Sequence, residues 1–438
     1  MSNNQVAIQI SHKKAWFILV LVLLFFSAML LVLHKIPSNY PGHVCAENYQ
    51  IAGPFWIVLN CDAREFMRGA EDLNNLLDPG YVRQSRPGTV ILANLISKVL
   101  GPIINLGERL LAASGREFHG ILNRWLHEFV AYLIINFSVV ISSFWLYIRL
   151  AGSRHTITIP ALASGSLIIL NNIGKAFMLT PHTALIELLV PLVTLTLYLW
   201  LRHARNFMPI WVILTSIGIG LAAMAYPGFL IAAPAIVVAD MAHHRCDDTK
   251  NLRLRVPIWG LLSTAIMLLP LVLWMTFLSY RNGGFQAAEF SGNELVWLIP
   301  AFQEGVFNGL GLLLSKIRTL GLMALKQMWP FLPIFTAIFL IVRPREIAAF
   351  IAKNRRDPIY KGVLLVSGLA ILFFALIGLP IPRRAYMAVP AMIGLLGWAL
   401  ERLSLSIGSV RATWLSVCVC LAVLFDAIVL FMQQGPYS

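Results

Sequence analysis

Apolar runs of about 20 residues recur from one end of the chain to the other, separated by short polar, mostly basic stretches. A run of that length crosses the hydrocarbon layer as a helix. The runs lack the strict alternation of a half-buried strand and the narrow stripe of a soluble helix. They predict about eleven spans, beginning near Ala15, Leu126, Ile157, Thr183, Pro209, Phe229, Pro257, Trp329, Gly362, Tyr386 and Thr413. Lys13 and Lys14 precede the first run, and no small-x-small cleavage site follows it, so it reads as an uncleaved first helix.

Two polar-rich segments, 35–125 and 279–327, interrupt the pattern. Val90 to Leu111 and Leu295 to Ile317 mix apolar patches with Asn, Lys, Glu and Arg, which suits helices lying along the membrane surface. No linker or fixed-period repeat divides the chain. The expected fold is therefore all-α: one polytopic transmembrane helical bundle over residues 1–438, with juxtamembrane helices in the first long loop.

Composition agrees. Of the 438 residues 58% are hydrophobic and 12% charged, too little charge to coat a water-facing surface. The net charge of +14 would raise nucleic acid as a partner in a soluble protein, but no such motif is present. The cations instead mark an orientation. With the N-terminus in the cytoplasm, the inner loops hold Lys13, Lys14, Arg149, Arg154, Arg202, Arg205, Arg245, Lys250, Arg253, Arg255, Arg343, Arg345, Lys353, Arg355, Arg356, Lys361, Arg402 and Arg411. The short outer turns hold only Lys175, Arg383 and Arg384. Two readings fit those three: contact with lipid headgroups, or a site for an anionic group such as phosphate. Of five cysteines, Cys418 and Cys420 fall in an apolar run and Cys246 in an inner loop. Cys45 and Cys61 share the first outer loop, either as a disulfide or as two thiols. No Cys/His set has zinc-ligand spacing.

The densest polar stretch is NCDAREFMRGAEDLNNLLDPGYVRQSRPGTVILA, from Asn60 to Ala93. Its first part predicts a helix with Asp62 as cap, Glu65 completing a capping-box-like pair, and Phe66, Gly69, Ala70 and Leu73 as the apolar face. Asp78-Pro79-Gly80 ends it. Asp62 fits two roles, helix cap or general base just outside the bilayer. Arg83 and Arg86 likewise fit headgroup contact or paired bonds to phosphate oxygens.

Several stretches, taken in order, resemble the GT-C superfamily of integral membrane glycosyltransferases. They are Asp62 opening an outer-loop helix in DAREFMRGAEDL; the Tyr, basic-Pro step and amphipathic helix of GYVRQSRPGTVILANLISKVLG; LTPHTALIELLVPLVTLTLYLWLRH; the broken helix GIGLAAMAYPGFLIAAPAIVV; and PRRAYMAVPAMIGLL. Together they spread over most of the chain. Three features depart from the family. Asp62 stands between Cys61 and Ala63 where many relatives have two adjacent acids, and Tyr226 precedes Pro227 where many have Arg. The second outer turn lacks the family's acid, leaving His182 and Glu187 as the nearest polar residues.

The resemblance, of the mannosyltransferase and aminoarabinose-transferase kind, implies an inverting transfer of sugar from a polyprenyl-phosphate-linked donor at the periplasmic face of a bacterial inner membrane. The acceptor would be a glycan, glycolipid or protein. It implies Asp62 as the base; Arg83, Arg86, Lys175, Arg383 and Arg384 on the donor phosphate; and Glu65, His182, Glu187, Tyr226 and Tyr386 around the substrate cavity. No cofactor is expected, since a lone Asp62 is a poor magnesium site. The rivals are a transporter or lipid flippase, a surface-polysaccharide polymerase or ligase using lipid-diphosphate sugars, and a non-catalytic assembly subunit.

Overall fold

The structure is a computed structural model of the chain, described over residues 7–36, 46–81, 83–113, 121–203, 209–247, 258–282, 297–378 and 380–433. It is a polytopic helical membrane protein. The helices are α1 (His12–Leu33), α2 (Asp62–Glu71), α3 (Pro87–Ala113), α4 (Ile121–Ala151), α5 (Ile159–Gly165), α6 (Asn172–Phe177), α7 (Ile186–His203), α8 (Pro209–Ala225) and α9 (Ala232–Asp247). They continue with α10 (Ile258–Arg281), α11 (Leu298–Gln303), α12 (Val306–Gln327), α13 (Phe331–Ile341), α14 (Pro344–Asn354), α15 (Pro358–Ile377), α16 (Pro382–Ala385), α17 (Val389–Ser406) and α18 (Ser409–Met432).

Among the described residues nine helices are long and apolar enough to cross a membrane. The difference from eleven has a clear origin. Four expected spans, those near Ile157, Pro209, Phe229 and Trp329, are shorter apolar helices of 10–17 residues. Two segments expected to lie on the surface, at Pro87–Leu110 and Val306–Gln327, reach span length and hydropathy. In α3 Asn94 and Ser97 turn inward and are buried, whereas Lys98, Asn105 and Arg109 are exposed together with Leu92, Leu95, Val99, Ile103 and Leu106. An apolar face turned outward suits lipid.

Two large buried clusters form most of the interior, with two smaller ones around α2, and α7 and α17 contribute to both large ones. One adds α1, α4 and α18; the other adds α8, α9 and α15. Lipid supplies little hydrophobic drive between helices, so close backbone approach carries the packing. At Gly397 an added Cβ would fall 2.1 Å from the Tyr147 hydroxyl, so only glycine admits that contact.

Two short β pairings were not expected. Gln9–Ser11 pairs antiparallel with Thr156–Thr158, tying the start of α1 to the α4–α5 connection. Ala46–Ala52 pairs with Phe55–Asn60 through a turn at Gly53, whose φ of 50° favours glycine. This hairpin delivers the chain to α2. Cys61, at the junction, is disulfide-bonded; Cys45, its partner in one of the two readings of the sequence, lies outside the described residues.

Candidate active site

The cap expected at Asp62 is made by another residue. The Asn60 side chain accepts from the Ala63 amide at 3.2 Å, and Cys61 precedes α2 with no side-chain cap. Asn60 sits three residues before that free amide, the spacing at which a side chain reaches it. The Asp62 carboxylate is thereby left to other partners, and the Glu65 capping-box role falls away. The Glu65 backbone carbonyl instead accepts from the Tyr81 hydroxyl at 2.7 Å.

One Asp62 oxygen, Oδ1, pairs with the Arg83 guanidinium. The other, Oδ2, is 3.2 Å from His182 Nε2. The His182 tautomer follows from its second nitrogen. The Ala184 backbone amide, which can only donate, points at Nδ1 from 2.8 Å. Nδ1 is therefore an acceptor, and Nε2 carries the proton it gives to Asp62. Burial, the largest influence, pushes the His182 imidazole down to about 3, so it is neutral at ordinary pH. At Asp62 burial pushes upward. The His182 hydrogen bond and the charges of Arg83, His182 and Arg383 outweigh it and hold the carboxyl well below the usual range. The Asp62 side chain keeps 38% of its surface exposed, so an incoming molecule can reach it.

Each partner is fixed by its own neighbours. Asn136 of α4 has its amide within 3.2 Å of the Phe177, Met178 and Thr180 carbonyls, and the Thr180 hydroxyl donates to Val58 of the hairpin at 2.6 Å. These bonds set the turn carrying His182. Phe177 and Phe66 flank the imidazole, with ring centroids at 4.5 and 5.3 Å. Trp274 of α10 donates to the Gln84 carbonyl at 2.8 Å and holds the turn between Arg83 and Arg86.

Of the other arginines, Arg383 acts on this acid, and Arg86 and Arg384 act on Glu187. Arg383 stacks over Phe177, 5.3 Å from the ring centre. Its Nε is buried without a hydrogen-bond partner among the described residues. Arg86 donates to the Thr183 hydroxyl at 2.9 Å and lies over the Tyr226 ring. Tyr226 in turn donates to Glu187 Oε1 at 2.6 Å. Arg383, Arg384 and Arg86 all lie near enough to act electrostatically on Glu187. Residues from four separated segments, 62–86, 182–187, 226 and 383–384, thus meet at one end of the bundle, where α7 and α17 begin. With the group fully ionised, four arginines face two carboxylates.

Beside the arginines lies a cavity of about 290 Å³. Ser85, Arg86, Tyr226 and Arg384 line it together with Leu230, Leu271, Met275, Phe373, Phe374 and Ile377. It joins an apolar wall to two cations, the chemistry of a lipid carrying an anionic head.

Two expected site residues stand elsewhere. Lys175 donates to the carbonyls of Leu430, at 2.9 Å, and Gln433. Its ammonium closes the end of α18, where unpaired carbonyls need donors. Tyr386 is buried, with its hydroxyl donating to the Leu167 carbonyl at 3.2 Å, and it borders a separate small cavity with Asp426. Sequence reasoning missed Phe177, Thr183, Ser85 and Phe374. None carries charge, and only the fold brings them beside the arginines. Among the described residues no group of three His, Cys, Asp or Glu stands close enough to hold a metal ion.

No protein-family model matches the chain, and no curated protein does. Two solved structures are similar to it: ArnT from Cupriavidus metallidurans in the apo state, and the same protein bound to undecaprenyl phosphate. The first aligns at 16% identity and a TM-score of 0.46, covering 90% of this chain and 60% of that one. The second aligns at 15% and 0.48, covering 90% and 61%. This chain therefore spans about 60% of the length of the ArnT chains it matches. At such TM-scores the likeness carries no weight for the chemistry.

Proposed function

We propose that the protein is a membrane glycosyltransferase that moves a sugar from a polyprenyl-phosphate donor to an acceptor hydroxyl. The observation that supports this best is an arginine cluster that joins two carboxylates beside the apolar cavity: Arg83 and Arg383 act on Asp62, Arg383, Arg384 and Arg86 act on Glu187, and Arg86 and Arg384 line the cavity. The lipid tail lies along Leu230, Met275, Phe373 and Ile377, and the phosphate meets Arg86 and Arg384. Guanidinium binds phosphate oxygens in pairs, and its attraction is stronger where water is scarce.

The acceptor oxygen attacks C1 of the sugar from the face opposite the phosphate, so the configuration inverts. The C1–oxygen bond to phosphate breaks, and the electron pair leaves with the phosphate. Arg83, Arg86, Arg383 and Arg384 hold that charge as it develops. Asp62 takes the acceptor proton. Any carboxylate is too weak a base to remove a hydroxyl proton beforehand, so proton transfer accompanies or follows the attack. Phosphate also competes with Asp62 for Arg83, and drawing Arg83 away raises the proton affinity of the carboxylate. His182 keeps the carboxylate aimed. Arg86, Arg384 and His182 are donor- and acid-positioning groups in this reading; Lys175, Tyr386 and Glu65 have no part in it.

The orientation is read from the charge pattern: N-terminus inside, with the hairpin, α2 and the site that follow α1 on the periplasmic side of a bacterial inner membrane. The cluster sits where helices begin, away from the midplane where transporters bind their cargo. The test is sugar transfer by the purified protein from a panel of undecaprenyl-phosphate-linked hexoses and pentoses. Asp62→Asn should lower transfer by about 10²-fold or more while donor binding stays within a few-fold. Transfer at the wild-type rate in Asp62→Asn overturns the reading.

A further inference from the structure

At the far end of α2 from Asp62 is a second, separate cavity of about 330 Å³. Glu71 closes α2 there, Asn94, Ser97, Lys98 and Asn105 line it from α3, and His127 and Glu128 from α4. The α3 residues recur at the spacing of one helix face. Asn94 gives the sharpest signal. It is 2% exposed, its amide nitrogen donates to the Ala70 carbonyl at 2.6 Å, and its oxygen has no partner among the described residues. A buried amide oxygen left unbonded is costly, and a ligand hydroxyl that reached it would recover the bond.

We infer that this cavity binds a neutral glycan segment. Its lining offers amide, hydroxyl, ammonium, imidazole and carboxylate groups in one wall, donors and acceptors both. Two carboxylates against one ammonium disfavour an anion, unlike the arginine cluster. Glu71 is already fixed, accepting from Trp125 Nε1 at 2.7 Å and pairing with Arg124 at 3.2 Å, so its carboxylate is preset for a hydroxyl. The size falls within the usual range for small-ligand sites. Asp62 and Glu71 are separated by nine helical steps, roughly 13 Å along the axis. An acceptor seated here while reacting at Asp62 is therefore longer than one sugar ring. That the glycan belongs to the acceptor rests on the transferase reading; the binding itself does not.

The experiment is saturation-transfer difference NMR on the protein in lipid nanodiscs. The probes are methyl glycosides of glucose, mannose, galactose and N-acetylglucosamine and their disaccharides. The expected result is transfer to the ring protons of at least one probe. Gly101→Leu should abolish it. A Cβ there meets only His127 atoms at 3.9 Å, so the larger side chain has room to enter the cavity. Glu128→Ala, which removes an acceptor and adds no bulk, should weaken binding at least tenfold. Gel filtration and thermal midpoints of both variants verify folding. Asp62→Asn should bind the glycan as wild type does, even where sugar transfer is lost. Glycan binding without sugar transfer in any form would sink the enzyme reading and leave this inference standing. No signal with any probe, or wild-type binding in both pocket variants, overturns it.

Discussion

Lys175 and Arg383 are both cations in short turns that the charge pattern puts outside, and the fold uses them in opposite ways. Lys175 spends its ammonium on the last carbonyls of α18. Arg383 lies over the Phe177 ring, with a buried nitrogen unbonded among the described residues, and its charge reaches both Asp62 and His182. A compact ammonium suits a ring of carbonyls. A planar guanidinium stacks on an aromatic face and keeps its edge donors for a ligand. A shared membrane face does not imply a shared role.

Substitutions sharpen that contrast. The largest effect belongs to the cavity arginines. Arg86→Gln combined with Arg384→Gln should weaken undecaprenyl phosphate binding by about 10²-fold, each bond to a charged group contributing roughly 1.5–3 kcal/mol. Lys175→Met should leave that affinity within a factor of two and lower the thermal midpoint by several degrees, because carbonyls of α18 lose their donor. Midpoints and affinities measured on the same nanodisc samples separate the two roles. A hundredfold affinity loss in Lys175→Met, with its midpoint unchanged, would break the comparison.

A smaller effect concerns pH. His182 is held down to about 3 when folded, against an unfolded value of 6.5. Between those values the unfolded chain binds the extra proton, so stability falls as pH drops below about 6.5, by at most ~1.4 kcal/mol per unit. His34, also lowered to about 3, first by burial and then by Lys175, adds a slope of the same sign. His182→Gln should therefore flatten the fall in thermal midpoint between pH 7 and pH 5 without removing it. Asp62 contributes oppositely in origin: its depressed carboxyl stabilises the fold above the ordinary carboxylate range and loses that only in stronger acid. The smallest effect is Tyr226→Phe. It removes the bond to Glu187 and should cost donor affinity a few-fold, read by the same binding assay.

The sequence disclosed the bundle well because lipid imposes it: seven of the eleven expected spans are long helices here. In α3 and α12 length and hydropathy also reach those of a span, because amphipathic composition does not say whether the polar stripe faces water or a neighbouring helix. The hairpin before Asp62 was missed because its second strand, Phe55–Asn60, is a continuous apolar run that periodicity does not distinguish from a helix. At the site, Asp62, Arg83, Arg86, His182, Glu187, Tyr226, Arg383 and Arg384 come together from distant stretches that hydropathy had already put on one side. Lys175 and Tyr386 stand apart from this group for one reason. A carbonyl in need of a donor has no signature in the sequence, and both side chains donate to backbone carbonyls.

The account depends most on Asp62 and the arginines serving one phosphate. The direct measurement is the titration of the Asp62 carboxyl by infrared difference spectroscopy, assigned with Asp62→Asn, with and without undecaprenyl phosphate. Binding should draw Arg83 toward the phosphate and place a negative charge near the acid, so the Asp62 carboxyl should titrate at clearly higher pH in the complex. A titration unchanged or lowered when the lipid is bound would contradict the account.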